Sequence, residues 1–339
     1  MFDVMPYCFS DRPRLDKLAP NLYRVDLCMP QAVGPTNSYI FKADGVHDNG
    51  RSLIIDTGAN HYTTKAIFDE ALAALDISWD DVDVLITHFH WDHCAGLTRI
   101  YRPTMTVYGG IDSIDKQGAP IMAARGFGSM ERRTSAFFGI DDTFEAKYWY
   151  PMTLGCAKQV PLVVPEEGHV FCVGPYNLRV MHVPGHDMHQ ICLYDEAAQL
   201  FVAGDQVLYN QYTSVMIEED IDQLGIMMHS LMRLRTVKAS LVLCGHGNEG
   251  DSLSGRCQQT LDHFSRQLNA FYKVCLEHPD DHDPAHLAYW STHTAHRRPW
   301  EDRPMFARRA LLIQTMSFVK ALMTAGKIPN DYPLLYARW

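Results

Sequence analysis

The sequence lacks any long hydrophobic run: no stretch of its 339 residues approaches the roughly 18 consecutive apolar residues that a transmembrane helix requires. No basic segment followed by an apolar run opens the chain, so we expect no signal peptide and a cytoplasmic location. The chain also lacks an excess of positive charge: its formal net charge is −10, and its lysine and arginine residues form no basic stripe. Nucleic acids and anionic membranes are bound by clustered basic side chains, and we therefore expect neither as a partner.

The usual covalent nucleophiles and disulfide patterns are missing as well. The nine cysteines are scattered and include no Cys-x-x-Cys pair, which predicts reduced thiols rather than a disulfide framework. The Gly-x-Ser-x-Gly motif of serine hydrolases does not occur. The sequence thus offers no obvious serine or cysteine nucleophile.

The composition is that of a globular protein with a substantial core, since 47% of the residues are hydrophobic and 21% are charged. The length predicts one large domain, residues 1–250, followed by a C-terminal helical extension, residues 251–339. Residues 111–158 are rich in glycine, methionine and aromatic residues and have poor periodicity. They are interpreted either as an insertion that covers a pocket, a lid, or as an irregular packed subdomain.

Apolar alternation and helical periodicity divide the rest of the chain. Strands are expected within residues 20–43, 52–58, 82–93, 105–110, 178–186, 189–205 and 239–247. Helices are expected at residues 63–75, with a threonine N-cap, and at residues 219–236, 254–277 and 305–325. Strands in both halves with helices between them predict two sheets with helices outside. The polar residues 278–304 are interpreted as a solvated connector rather than a second metal site, despite the histidines at 278, 282, 286, 293 and 296.

The strongest local feature is the segment His-Phe-His-Trp-Asp-His at residues 88–93. Three imidazoles and a carboxylate follow an apolar strand directly, and alternate residues of a loop can face the same side. His88 and His90 could then share one metal ion while Asp92 and His93 face an adjacent one. Imidazole and carboxylate ligands suit zinc, iron or manganese. The segment therefore predicts a metal site rather than a polar turn.

Three later residues stand in the same context. His186, Asp205 and His246 each follow an apolar strand, and a rigid strand end is a suitable support for a metal ligand. A single histidine such as His246 is more often a capping or core residue, but the shared placement favours a ligand. Cys94, beside the loop, is interpreted as a small packing residue.

The loop resembles the His-x-His-x-Asp-His signature of the metallo-β-lactamase superfamily. The other motifs of that superfamily occur in the same order: Asp56 in Asp-Thr-Gly, His186 in Pro-Gly-His, Asp205 in Gly-Asp and His246 in Gly-His. The similarity covers roughly residues 20–250 in short blocks. It implies an α+β fold, the αββα sandwich of two mixed β-sheets flanked by helices, here with a C-terminal helical cap.

The resemblance also implies two divalent ions per chain, zinc in the first place, with iron or manganese as alternatives. Its ligand set is His88, His90 and His186 for one ion and Asp92, His93 and His246 for the other, bridged by Asp205. By the same resemblance Asp56 orients the ligand loop, and His189 matches a supporting histidine three residues past a ligand.

Asp205 narrows the implied activity. Classical β-lactamases of this fold commonly carry cysteine at that position, whereas aspartate is typical of glyoxalase II-like thioesterases, lactonases and related hydrolases. The resemblance thus implies that a hydroxide bridging two ions cleaves an ester, lactone or thioester in a small-molecule substrate. Asp92 is the candidate proton shuttle. Tyr209 and Tyr212 either donate hydrogen bonds to the substrate or are ordinary packing residues.

Several alternatives stay open at this point. One is a mononuclear iron dioxygenase acting on persulfides, which would leave the second ligand group empty. Another is a regulatory protein that keeps the fold and the metals but acts by binding. Phosphodiester cleavage is disfavoured by the acidic charge of the chain. The arginine and lysine pattern that binds glutathione is not recognisable in the C-terminal region, which argues against glutathione thioesters. A homodimer is an open option for the oligomeric state.

Overall fold

The computed structural model describes residues 7–8, 12, 14–30, 34–110, 113–114, 120–122, 160–215, 221–292, 300, 302 and 305–332. The segment 111–158, interpreted either as a lid or as an irregular packed subdomain, lies almost entirely outside these residues. The described strands are β1 (Tyr7–Cys8), β2 (Leu15–Ala19), β3 (Leu22–Leu27), β4 (Met29–Pro30), β5 (Thr36–Phe41), β6 (Ser52–Ile55), β7 (Val82–Leu85), β8 (Val107–Tyr108), β9 (Ser113–Ile114), β10 (Pro120–Met122), β11 (Val160–Pro161), β12 (Val170–Val173), β13 (Tyr176–His182), β14 (Ile191–Asp195), β15 (Leu200–Gly204) and β16 (Leu241–Cys244).

The described helices lie between and after the strands. They are α1 (Thr64–Ala74), α2 (Trp91–Cys94), α3 (Leu97–Ile100), α4 (Gln223–Leu234), α5 (Leu253–Glu277), α6 (Pro284–Thr292) and α7 (Met305–Thr324), with a 3-10 turn at Trp79–Asp81. Within the described ranges, no helix combines the length and the hydropathy that crossing a membrane requires.

Two mixed sheets form the centre of the molecule. The first has the strand order β2-β3-β5-β6-β7-β8 and the second the order β12-β13-β14-β15-β16. Most neighbours are antiparallel, but β6, β7 and β8 run parallel, as do β15 and β16. Two small sheets, β1-β4 and β11-β10-β9, accompany them. The predicted αββα sandwich is thus confirmed.

Strand alternation explains the layers. Successive side chains of a strand point to opposite faces of a sheet. Ile40 and Ile54 therefore belong to the apolar cluster on the helix side of the first sheet. Phe41 and Ile55 face the other way and share a buried cluster with Leu193 of β14. Because both faces of β6 and β14 are buried, these two strands are apolar along most of their length, which is why they could be recognised in the sequence.

The helices cover the outer faces. On the first sheet, α1 buries Ile67 and Phe68. On the second sheet, Met227 of α4 and Phe264 of α5 belong to one cluster with Phe201 of β15. The C-terminal helices α5 and α7 thus share a core with the second sheet.

The helix termini differ from expectation in one respect. The residue at the N-cap position of α1, Thr63, makes no side-chain capping hydrogen bond, because its backbone is already helical. Asp222 caps α4 by accepting from the Gly225 amide at 2.8 Å. Ser252 caps α5 in the same way, with the Gly255 amide at 3.2 Å.

The interpretation of residues 278–304 as a solvated connector is wrong for its central part. Helix α6 forms there, and its residues Leu287 and Ala288 are fully buried. Leu287 joins the cluster beneath α5, whereas Ala288 packs with Leu312 of α7. A single short apolar turn between polar residues is therefore enough to dock this segment.

Replacing Phe264 by alanine is expected to lower the free energy of unfolding by about 3–5 kcal/mol, because a buried ring is lost and a cavity remains. Phe264 is 0% exposed in the cluster that joins α5 to the second sheet. The matched control is Leu276→Ala on the same helix, which is 60% exposed and should change stability by about 0.5 kcal/mol or less. Denaturant titrations with chelator present measure both. Equal effects would contradict the placement of α5.

Candidate metal centre

The centre forms where several strands end at one edge of the sandwich. In the second sheet, β13 and β15 are both antiparallel to β14, and β16 is parallel to β15, so the three strands end at the same edge. His186, Asp205 and His246 follow these ends. The ligand loop follows β7, and the Ile191 amide donates to the Thr87 carbonyl at 2.8 Å, which ties the two sheets together beside it.

The first group of side chains consists of His88, His90 and His186. His90 Nδ1 lies 3.1 Å from His88 Nε2 and 3.0 Å from His186 Nε2. Two nitrogens bound to one zinc ion at about 2.0–2.1 Å in tetrahedral geometry would lie roughly 3.3 Å apart. The three nitrogens are therefore spaced closely enough to share one ion.

The second group consists of Asp92, His93 and His246. Asp92 Oδ2 lies 3.2 Å from His246 Nε2 and 4.0 Å from His93 Nε2. Asp92 and His93 belong to the single turn of α2, so a helical turn, rather than an extended loop, directs them away from the first group.

Asp205 lies between the two groups. Its Oδ2 atom is 3.7 Å from His186 Nε2 of the first group and 3.5 Å from His246 Nε2 of the second. Its Oδ1 atom is 3.6 Å from His93 Nε2. One carboxylate thus faces side chains of both groups.

The donor atoms of the centre fit a bound cation. His93 Nε2 and Asp205 Oδ1 are buried and have no hydrogen-bond partner among the described residues. Buried polar atoms are rarely left without a partner, because the loss costs about 1–3 kcal/mol. A divalent ion held by nitrogen and oxygen donors would satisfy both atoms, and this is the donor chemistry that zinc, iron and manganese accept.

Two of the imidazoles, those of His186 and His246, form hydrogen bonds through Nδ1, the ring nitrogen that faces away from the centre. His186 Nδ1 lies 2.9 Å from the Ser214 carbonyl oxygen, and His246 Nδ1 lies 3.0 Å from the Pro35 carbonyl oxygen. A carbonyl oxygen only accepts, so each Nδ1 carries the proton and each Nε2 presents its lone pair to the centre. Such outer contacts fix the tautomer and the orientation of metal-binding histidines.

Asp56 supports the ligand loop from a strained backbone position, with φ of 58°. Its Oδ1 accepts from the Thr87 amide at 2.7 Å, and its Oδ2 lies 2.8 Å from both the Thr87 hydroxyl and His93 Nδ1. Asp56 could also form a third group with His88 and His93. Its oxygens are, however, already occupied by these donors, which favours an orienting role over direct ligation.

Charge and burial act against each other in the centre. Burial lowers the pKa of His88 well below its usual value. Burial opposes the charged form of His93 too, but the carboxylates of Asp205 and Asp56 outweigh it and raise the pKa of His93 well above the usual value. Burial would raise the pKa of Asp205, yet His246 and His93 hold it well below its usual range. Protons therefore compete with a metal ion here, and metal affinity should fall as the pH is lowered.

The remaining predicted residues lie around this cluster. The Tyr209 hydroxyl accepts from the Ser252 amide at 3.3 Å, and burial raises the pKa of that phenol. Tyr212 stacks on His263 with the ring centroids 3.8 Å apart. The half-buried His189 belongs to none of the possible metal-binding groups among the described residues.

Sequence reasoning missed several residues that support the centre. Asp187 is buried beside His186 and accepts from the Phe89 amide at 3.4 Å; its only signal is its adjacency to the ligand. Gln206 accepts from the His186 amide at 3.2 Å, and Gln223 donates to the Gly185 carbonyl at 2.9 Å. Neutral side chains of this kind have no distinguishing pattern in the sequence. Cys94 is buried, with Sγ 3.5 Å from the Phe89 carbonyl oxygen, in agreement with a packing role.

Comparison with known proteins decides the family. The family model of the metallo-beta-lactamase superfamily matches residues 32–246, which is more than half of the chain's 339 residues. The chain belongs to the metallo-beta-lactamase superfamily. This is a superfamily of metallo-hydrolases, and the histidine and aspartate groups described above could hold the divalent metal that its members generally bind.

Superfamily relatives are distant in sequence. The atrochrysone carboxyl ACP thioesterase of Paecilomyces divaricatus is 24% identical over 271 residues, which cover 78% of this chain and 66%, just under two thirds, of that protein. The probable metallo-hydrolase YqjP of Bacillus subtilis is 25% identical over 264 residues, which cover 74% of this chain and 79% of that protein.

Solved structures agree on the fold. A metallo-beta-lactamase family protein from Thermus thermophilus superimposes with a TM-score of 0.69 at 21% identity, covering 91% of this chain and 95% of that one. Similarity at this identity supports the superfamily fold and leaves the substrate open.

Proposed function

We propose that the protein is a hydrolase that holds two divalent metal ions and cleaves a carboxylic ester, lactone or thioester in a small molecule. The observation that carries the proposal is the position of Asp205, whose carboxylate faces side chains of both groups at 3.5–3.7 Å. A carboxylate between two sets of ligands is what a site for two neighbouring ions requires. We assign His88, His90 and His186 to one ion, Asp92, His93 and His246 to the other, and Asp205 to both.

The metal ions would supply Lewis acidity, which lowers the pKa of a water molecule and polarises a substrate carbonyl. The chain's own residues supply the rest. Asp92 is proposed to accept the proton of the attacking water and to return it to the leaving group. Although burial opposes ionisation, the charge of His93 and the hydrogen bond from His246 in its protonated form lower the pKa of Asp92 to about 2. The carboxylate is therefore unprotonated before the reaction begins.

Thioesters are the first substrates to test. One relative is named as a thioesterase, and aspartate at position 205 is the residue typical of thioesterases and lactonases of this fold. We further propose zinc as the resident metal. Substrate hydrogen bonding by Tyr209 and Tyr212 stays a prediction. The Tyr209 hydroxyl already accepts from the Ser252 amide, and the Tyr212 ring stacks on His263 of α5.

The test combines metal analysis with a substrate panel. Purified protein is stripped with chelator, reloaded with zinc, iron or manganese, and assayed on acyl thioesters, aryl esters and lactones. We expect about two ions per chain and hydrolysis that disappears in the stripped protein. Asp92→Asn should lower kcat by about 100-fold or more if the carboxylate moves the proton, and it also exposes any contaminating esterase.

Three outcomes would contradict the proposal. One iron per chain with oxygen consumption on a persulfide would indicate the mononuclear dioxygenase instead. Two bound ions without turnover of any panel substrate would favour a regulatory role by binding. Hydrolysis that persists unchanged after the metal is removed would exclude the proposed chemistry altogether.

A further inference from the structure

The loop that follows Asp205, residues 206–214, holds the metal centre from behind. The Thr213 hydroxyl donates to the Asp205 main-chain carbonyl at 2.6 Å and lies 3.1 Å from His186 Nδ1. The Ser214 carbonyl oxygen lies 2.9 Å from the same nitrogen. The position of this loop therefore determines the orientation of His186 and the path of the chain at Asp205.

Arg256, in the first turn of α5, holds this loop. Its side chain is 8% exposed. Nε donates to the Leu208 carbonyl at 2.6 Å, and Nη2 donates to the Gln211 carbonyl at 2.7 Å. Nη1 donates to the Gln259 side chain at 3.1 Å. One planar guanidinium thus fixes the loop at two points three residues apart, which the single ammonium of a lysine does not match.

Aromatic contacts strengthen the same arrangement. The Arg256 guanidinium lies 4.3 Å from the centroid of the Tyr212 ring, and the His263 ring stacks on Tyr212 at 3.8 Å with an interplanar angle of 7°. Both side chains therefore pack against the Tyr212 ring. Arg256 and His263 are seven residues apart on α5, about two helical turns. Two side chains of α5, two turns apart, therefore contact Tyr212, the residue before Thr213.

We infer that Arg256 is a positioning residue that sets the metal affinity of the centre by holding the 206–214 loop. The inference rests on the proposed metal function of His186 and Asp205. It also gives the C-terminal helical extension a role, because α5 would control the centre through Arg256 without contributing a ligand. The first ion, assigned to His186, should depend on Arg256 more than the second.

The test measures metal affinity, not only activity. Arg256→Met, which removes the donors but keeps much of the stem, is compared with Arg256→Lys and with Arg266→Met, an exposed arginine on the same helix. Removing a partner of a metal-binding histidine commonly weakens metal binding by about 10–100-fold. We expect Arg256→Met to release the first ion to a competing chelator about tenfold more readily than the wild type. Arg256→Lys should release the first ion more readily than the wild type but less readily than Arg256→Met. Arg266→Met should match the wild type.

Cobalt reports the geometry directly. In the cobalt-loaded protein, the visible absorption of the first ion should shift in Arg256→Met, because the orientation of His186 changes, and a loss of global stability alone would not cause such a shift. Unfolding of the stripped proteins is recorded in parallel. If Arg256→Met does not fold, Arg256→Lys decides: weaker binding of the first ion at an unchanged unfolding midpoint supports the inference.

The outcomes separate this inference from the proposed function. If the wild type binds two ions and the folded Arg256 variants bind them with the same affinity and spectrum, the positioning role is overturned and the metal function stands. If the wild type binds no ion, the proposed function fails and this inference fails with it. Equal weakening in Arg266→Met would also overturn the role, since that side chain is exposed and lies ten residues further along α5.

Discussion

Asp205→Ala is expected to reduce the content of both metal ions, not of one. The carboxylate faces His186 of the first group and His93 and His246 of the second at 3.5–3.7 Å. Its removal deletes the side chain that we propose as a ligand of both ions, and it leaves buried imidazoles without the negative charge that they face. Loss of an outer partner already weakens metal binding by about 10–100-fold, so loss of the ligand itself should exceed about 100-fold for each ion. Metal content per chain after desalting measures this.

A second buried aspartate provides the control. Asp195, the last residue of β14, is 2% exposed. It accepts from the Asn177 amide of β13 at 2.7 Å and from the Ala198 amide of the turn before β15 at 2.9 Å. Asp195→Ala should therefore cost stability, because two main-chain amides lose the carboxylate to which they donate, but it should leave the metal content unchanged. A full complement of ions in Asp205→Ala, or loss of a single ion only, would refute the bridging role.

The fold could be predicted to the extent that burial leaves a pattern in the chain. Strands buried on both faces are nearly continuous apolar runs, so β6, β7 and β15 were recognisable. Helix α5 was recognisable by its periodicity and began one residue before the expected start. The docked helix α6 was missed, because it buries little more than Leu287 and Ala288 between polar neighbours.

The residues of the candidate centre also fall into two sets: those that leave a pattern in the sequence and those that do not. Its ligand types cluster in the sequence or recur at strand ends, and the structure brings all of them together. The supporting residues could not be found in this way. In the sequence, Arg256 resembles a solvated arginine on a helix and Thr213 an ordinary loop residue, because their partners are main-chain carbonyls brought near by tertiary packing. A carbonyl has no residue type, so a contact with it has no signature in the sequence.

Asp56 allows a sharper test of how the proposed metal ligands are oriented, because two substitutions at this position should separate an effect on stability from an effect on metal affinity. Asp56→Ala leaves the buried Thr87 amide and His93 Nδ1 without an acceptor, each at a cost of about 1–3 kcal/mol. It also puts alanine at φ of 58°, a left-handed conformation that costs about 1–2 kcal/mol. The stripped Asp56→Ala protein should therefore be destabilised by several kcal/mol, as measured by denaturant titration, and should bind metal poorly.

Asp56→Asn should keep most of the stability and still lose metal affinity. Asparagine tolerates the left-handed backbone, and its carbonyl can still accept from the Thr87 amide. Its NH2 group then faces His93 Nδ1, which must become the acceptor, so that the proton moves to Nε2, the atom that faces Asp205. Binding an ion at His93 would require this proton to leave, and we expect the second ion to bind about 10–100-fold more weakly. Competition with a chelator measures the affinity, and wild-type binding of both ions by Asp56→Asn would contradict the orienting role, since the NH2 group replaces the oxygen that faces His93 Nδ1 and the Thr87 hydroxyl.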